Sequence, residues 1–112
     1  MLAMDHAEAQ RLGAHESLLR SVNEAIERGQ WPGEESTPAA YRCECARANC
    51  NRMIELRPRD YERVRAVGIR FVVIPGHEQP EVERVIEMTP EYVVVEKRGE
   101  AADAAREHDP RE

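Results

Sequence analysis

A chain of 112 residues with a formal net charge of −6 is long enough for one domain with an appended helix. The acidic excess disfavours a general binder of nucleic-acid backbones, because such a protein needs a basic surface. No apolar run is long enough to cross a membrane, and the N-terminus lacks the pattern of a signal peptide. We therefore expect a cytoplasmic protein in a reducing compartment.

Residues 1–29 form the first predicted unit, a long N-terminal helix over about residues 5–28. Asp5 is a suitable N-cap, and Gly29 is placed to end the helix. An apolar stripe at helical spacing consists of Leu12, His15, Leu18, Leu19, Val22 and Ile26. The opposite face, which we expect to be solvated, carries Glu16, Arg20, Glu24, Glu27 and Arg28. The stripe predicts packing on the domain, on a protein partner, or on a second copy in a homodimer.

The rest of the chain divides by composition into three parts. Residues 30–40, with two prolines and a glycine, form a linker, and residues 98–112 form an acidic tail that is weakly helical or disordered. Between them, residues 41–97 predict a cysteine-containing domain in the order β-β-α-β-α-β. The strands are expected at 41–45, 52–56, 70–74 and 91–97, and the helices at 58–67 and from Pro80 over EVERVIEM. This pattern predicts an α+β fold with a three- or four-stranded mixed sheet.

All three cysteines lie close together in the sequence, as C-x-C-x4-C. Cys43 and Cys45 are two residues apart, so on a strand both sulfurs leave the same face. Cys50 follows a short polar turn that can return a third sulfur beside them. In a reducing compartment, clustered cysteines favour metal ligation or redox chemistry over a structural disulfide, and ordinary buried cysteines are the third interpretation.

The fourth ligand of such a site is best supplied by His77, in the Pro-Gly-His turn after the most apolar segment. Three cysteines and one histidine form an accepted tetrahedral zinc set, and four protein ligands favour a structural over a catalytic ion. If the strands at 52–56 and 70–74 were parallel neighbours, however, His77 would lie roughly 15 Å from the sulfurs, at about 3.3 Å per residue. The ligand therefore requires an antiparallel relation or a loop that folds back. The alternatives for the fourth position are His6, His15, His108, Glu44 and Glu78.

Two other functions remain open at the level of sequence. The same cysteines could form a thiol-based sensor or hold an iron–sulfur cluster. A nucleic-acid-binding regulator is disfavoured by net charge, although one region is rich in arginine: Arg57, Arg59, Arg63, Arg65 and Arg70. No acid–base pair, activated nucleophile or phosphate loop can be assembled from the sequence, so we expect a non-enzymatic protein. The first hypothesis is a zinc-containing interaction or regulatory module.

Several motifs together resemble a family of short uncharacterised bacterial proteins. They are C-E-C-x4-C, R-M-I-E-L, R-F-V-V-I-P-G-H-E, E-V-E-R-V and Y-V-V-V-E-K, and the resemblance covers about residues 22–111. It implies an N-terminal helix joined to a cysteine-containing domain. It implies no established activity.

Overall fold

A computed structural model describes residues 5–111 of the protein. Residues 1–4 of the predicted N-terminal unit and residue 112 of the predicted tail lie outside the described residues. The elements are α1 (His6–Gln30), β1 (Ala39–Arg42), β2 (Met53–Leu56), α2 (Pro58–Arg65), β3 (Arg70–Val73), β4 (Glu83–Met88), β5 (Val93–Lys97) and α3 (Gly99–Glu107).

The strands form two antiparallel sheets. β1 and β2 pair as a hairpin, in which Ala39 lies opposite Leu56 and Arg42 opposite Met53. The second sheet has the order β3-β5-β4, with β5 in the centre. The predicted α+β class is confirmed, but the predicted mixed sheet is wrong. The described strands contain no parallel pair, because α2 connects strands that belong to different sheets.

The predicted second helix of the domain, starting at Pro80, is also wrong, since this segment contains β4. Val85 and Ile86, which that helix would have buried, are 44% and 36% exposed. β4 instead pairs along β5, with Val85 opposite Val95. β5 is buried, so its backbone N–H and C=O groups need hydrogen-bonding partners on both edges. Pairing with β5 therefore outweighs the helical spacing of the apolar residues.

The core lies where the two sheets, α2 and α3 meet. Its buried side chains are Tyr41, Cys43, Cys45, Ile54, Leu56, Tyr61, Val64, Phe71, Val72, Val73, Tyr92, Val93, Val94, Val95 and Ala105. The Tyr41 and Tyr61 rings stack with centroids 4.6 Å apart, which joins the hairpin to α2. The three apolar residues of β3 and the central valines of β5 are buried, as their unbroken apolar runs predict.

The N-terminal helix is present, but the face that it buries differs from the predicted one and includes only part of the apolar stripe, with Leu19 buried and Ile26 packed against the core. Asp5 caps it as predicted, accepting from Glu8 N at 2.7 Å. Leu18 and Val22 of the predicted core stripe are 69% and 45% exposed. The buried residues of α1 are Ala9, Gly13, Glu16, Leu19, Arg20, Asn23, Glu24 and Glu27. The predicted solvated face is thus largely buried.

The inward face of α1 is tolerated because its charged groups meet partners from other elements. The ion pairs are Glu16 with Lys97 (2.8 Å), Glu24 with Arg65 (3.0 Å) and Glu24 with Arg111 (2.6 Å). Arg20 donates to the backbone carbonyls of Gly68 and Ala105 and lies 4.2 Å from the centre of the Phe71 ring. A buried charge needs pairing and hydrogen bonds, and these contacts supply both, although Arg20 Nε and Arg65 Nη1 have no hydrogen-bond partner among the described residues.

The described part of the tail contains α3, which packs against α1. Its inward residues are four alanines, Ala101, Ala102, Ala104 and Ala105, so the helix has a buried face without a stripe of large apolar side chains. Gly13 of α1 allows the close approach, since a Cβ there would lie 2.9 Å from the Cβ of Ala104.

Candidate metal centre

The structure brings the four sequence-predicted ligands together. The donor atoms of Cys43, Cys45, Cys50 and His77 all lie within 4.8 Å of one another. His77 Nδ1 is 3.6 Å from Cys43 Sγ and 3.6 Å from Cys50 Sγ. The three cysteines are free thiols. Four soft or borderline donors thus converge on one point.

The cysteine pair is held where the chain leaves β1. Cys43 N donates to Arg52 O at 3.0 Å, which continues the hairpin, and Glu44 N donates to Val72 O at 2.9 Å, which attaches the same segment to β3. The extended backbone turns the sulfurs of Cys43 and Cys45 to one side and the carboxylate of Glu44 to the other. The segment therefore lies between the two sheets.

Cys50 returns to this pair through a tight turn. Its N–H donates to the carbonyl of Arg47 at 3.1 Å, and β2 begins three residues later at Met53. The polar residues of the turn remain exposed while the third sulfur faces the first two. This local return is the one that the C-x4-C spacing predicts.

His77 arrives from the end of β3. Its N–H closes a turn to Ile74 O at 2.9 Å, and Gly76 adopts φ 95°, a conformation that favours glycine. The long distance expected from parallel strands does not arise, because β2 and β3 belong to different sheets and the cysteine segment runs beside β3. The Pro-Gly-His turn therefore opens directly onto the sulfurs.

Three cysteines and one histidine form a donor set that could hold a metal ion. Zinc binds sulfur at about 2.3 Å and imidazole nitrogen at about 2.0–2.1 Å, so a tetrahedral angle separates sulfur from nitrogen by about 3.6 Å and sulfur from sulfur by about 3.8 Å. The observed Sγ–Nδ1 distances are 3.6 Å. Ile74 N also donates to Cys43 Sγ at 3.2 Å, a contact that stabilises a thiolate ligand.

The close sulfurs influence one another's protonation. Hydrogen bonding from Cys43, with further donation from the Arg47 backbone and from His77, lowers the pKa of Cys45 to about 4. The pKa of Cys43 is raised, first by its hydrogen bond to Cys45 and then by burial. The protein alone therefore favours one thiolate in this pair. A bound divalent cation would favour the thiolate form of the second cysteine as well.

The centre has a buried side and an open side. Cys43 and Cys45 are buried, whereas Cys50 and His77 are half-buried. A groove of about 370 Å³ borders the open side and is lined by residues of the turn, from Arg47 to Arg52, together with His77. An ion could therefore enter from solvent, and four protein donors would then complete its tetrahedral shell.

The alternative fourth ligands lie elsewhere. His6 is 3.2 Å from Glu100, and His108 is 2.7 Å from Gln10, both between α1 and α3. His15 lies on α1 outside the cluster, and Glu78 accepts from Gly76 N at 2.8 Å. Glu44 is fully buried on the far side of the ligand segment. Sequence reasoning missed the structural role of Glu44, although its position between two cysteines was a signal for it.

The arginine-rich region does not form a free basic surface. Four of its five members pair with carboxylates: Arg57 with Asp60 (2.9 Å), Arg63 with Glu87 (3.3 Å), Arg65 with Glu24 (3.0 Å) and Arg70 with Glu96 (3.1 Å). Neutralised guanidinium groups contribute little to phosphate binding. That the protein does not bind nucleic acid stays a prediction from its net charge.

Comparisons with protein-family models, curated proteins and solved structures found no match. The resemblance to the bacterial family therefore stays a prediction. Within residues 5–111, no helix combines the length and apolar character needed to cross a bilayer. The case for function consequently depends on the geometry of the four clustered donors.

Proposed function

We propose that the protein is a small cytoplasmic zinc-binding module in which Cys43, Cys45, Cys50 and His77 hold one structural ion. The observation that carries this proposal is the convergence of four donor atoms within 4.8 Å of one another, with His77 Nδ1 3.6 Å from two of the three sulfurs. The ion would join the β1–β2 hairpin to the end of β3, two parts that belong to different sheets. Its binding energy would add directly to the stability of a small domain.

The geometry favours a single ion over an iron–sulfur cluster or a redox pair. A cluster distributes its ligands around several irons, whereas these four donors lie within 4.8 Å of one another. A disulfide between Cys43 and Cys45 would be strained by the single intervening residue. A saturated protein shell leaves no position for a substrate, which supports a non-enzymatic role.

Elemental analysis of protein purified without added metal tests the proposal. We expect about one zinc per chain in the wild type and in His15→Ala, and a large loss of zinc in His77→Ala. His15 is the matched control because it is also half-buried but lies outside the cluster. Iron with visible absorbance would replace this proposal with the cluster alternative. Equal zinc content in the two variants would remove His77 from the ligand set.

The interaction role rests on the exposed face of α1. Leu18 and Val22 are 69% and 45% exposed and lie one turn apart on this helix. Exposed apolar side chains at this spacing suit association with another helix. We propose that this surface docks a second copy of the chain. Control of this association between two copies would then give the protein a regulatory role.

Self-association is expected to respond to charge on this face. The double substitution Leu18→Glu/Val22→Glu places two acids in the proposed contact and should shift a dimer to monomer in light scattering at the same protein concentration. Ser36→Glu, in the exposed segment between α1 and β1, is the control for added charge. A wild-type protein that is monomeric at high concentration would reject the homodimer.

A further inference from the structure

Asn23 is a fully buried polar side chain on α1 whose hydrogen bonds go to the two residues that flank Cys43. Its Nδ2 donates to Arg42 O at 3.0 Å, and its Oδ1 accepts from Arg42 N at 2.7 Å. The side-chain amide thus pairs with the backbone of Arg42 as a neighbouring strand would. Nδ2 also donates to Glu44 Oε2 at 2.9 Å. Through Asn23, α1 is therefore hydrogen-bonded to the residues immediately before and after Cys43.

Glu44 connects the same segment to two further elements, α2 and β3, by hydrogen bonds. The Tyr61 hydroxyl of α2 donates to Glu44 Oε2 at 2.5 Å, and the backbone N–H of Val72 in β3 donates to Oε1 at 3.0 Å. Glu44 is 0% exposed, so its carboxylate depends on these donors in place of water. Any rotation of the segment that spreads the two sulfurs would break these bonds.

The orientation of Cys43 and Cys45 is thus fixed by hydrogen bonds to Glu44, on the side of the segment opposite the sulfurs. Cys43 and Cys45 present their sulfurs on one side of the extended segment, while Glu44 and its donors hold the other side. Groups that orient metal ligands through hydrogen bonds change metal affinity when they are removed, typically by about 10–100-fold. Asn23 occupies that role from a helix 20 residues earlier in the chain.

We propose that Asn23 is a positioning residue for the metal centre, and that zinc binding and docking of α1 stabilise each other through it. The inference rests on the proposed zinc site and adds its regulation. Because coupling between two binding events is reciprocal, an ion that favours the docked helix must bind more tightly when the helix is docked. Loss of zinc would weaken the packing of α1 on the domain. The outer face of α1 carries Leu18 and Val22, the proposed contact with a second copy of the chain.

The test compares zinc affinity in two variants of the same helix face. Asn23→Ala removes the three bonds to the ligand segment. Glu16→Gln lies two turns earlier on the buried face and weakens the ion pair with Lys97, away from the cysteines. In chelator competition with zinc alone, we expect Kd to rise by about tenfold or more in Asn23→Ala and less than about twofold in Glu16→Gln.

Hydrogen exchange on the unaltered protein gives a second measurement that does not depend on a variant folding. Removal of zinc is expected to speed amide exchange about tenfold or more in α1 around Asn23, compared with the β4–β5 hairpin. Wild type that binds zinc, with unchanged affinity in Asn23→Ala and unchanged exchange in α1, would overturn this inference alone. Wild type that binds no zinc would overturn the proposed function, and the inference with it.

Discussion

Under the proposed function, removing zinc from Cys43, Cys45, Cys50 and His77 is expected to lower the midpoint of thermal unfolding by about 15–25 °C. The ion would supply several kcal/mol of folding free energy, and about 1 kcal/mol corresponds to roughly 4–5 °C for a domain of this size. The donor atoms of the three cysteines and His77 lie within 4.8 Å of one another. Without a cation, the three sulfurs cannot all be thiolates at this distance, because their negative charges would repel one another. The turn between Cys45 and Cys50 would open first, because its residues are mostly exposed.

Cys43→Ser should reproduce the metal-free state. A serine hydroxyl is a poor substitute for a thiolate ligand, so we expect this variant to melt at the same temperature with and without chelator, near the value of stripped wild type. Asn49→Ser, in the exposed turn of the same centre, is the control and should keep the full response to zinc. Differential scanning calorimetry measures both. A chelator response in Cys43→Ser equal to that of wild type would show that its sulfur does not bind the ion.

The cluster of three cysteines and one histidine was predictable because most of its information is local. C-x-C on an extended segment orients two sulfurs, a polar turn returns the third, and Pro75-Gly76 forces a turn that ends at His77. The sequence could not show how the cysteine segment and the turn at His77 come together in space. The sequence does not state that α2 passes from one sheet to the other, and this crossing decides whether His77 lies near the cysteines.

β4 shows how a long-range partner can override a local pattern. Val82, Val85 and Ile86 have the spacing of a helix face, but Val85 lies opposite Val95 of β5 in an antiparallel pair. β5 is buried and requires a hydrogen-bonding strand on this side. That requirement comes from residues ten positions away and has no signature within EVERVIEM itself.

α1 shows a second kind of failure, in which the helical period is right but the buried face is displaced from the apolar stripe towards the charged residues. The helical spacing correctly predicts a helix, yet Leu18 faces solvent while Glu16 and Arg20 face the core. Hydrophobicity alone cannot predict this arrangement, since its stability depends on charges supplied elsewhere. Lys97, the single lysine of the chain, is one such partner, and its place inside β5 was the available signal.

Lys97→Met is therefore expected to destabilise the protein by about 3–5 kcal/mol near pH 8, because breaking a buried ion pair leaves charge without a partner. The Lys97 ammonium lies 2.8 Å from Glu16 and 2.6 Å from Glu83, and all three side chains are at most 4% exposed. Arg84→Met is the matched control: Arg84 pairs with Glu96 on the same sheet at 2.6 Å but is 63% exposed. Its loss should cost less than about 1 kcal/mol in urea unfolding.

The cost of Lys97→Met should depend on pH in a defined direction. Burial raises the pKa of Glu16 to about 7 even though Lys97 lowers it, so loss of the lysine raises this pKa further. A carboxyl group whose pKa is raised on folding stabilises the fold while it is protonated, and this contribution disappears as pH rises through the folded-state value. The deficit relative to wild type should thus be small near pH 5 and grow toward pH 8.

Replacing the acids as well, in Glu16→Gln/Glu83→Gln/Lys97→Met, should recover most of the loss and flatten the pH profile, because no buried charge then lacks a partner. A deficit that stays constant from pH 5 to pH 8 would assign the loss to packing of the lysine stem instead of its charge.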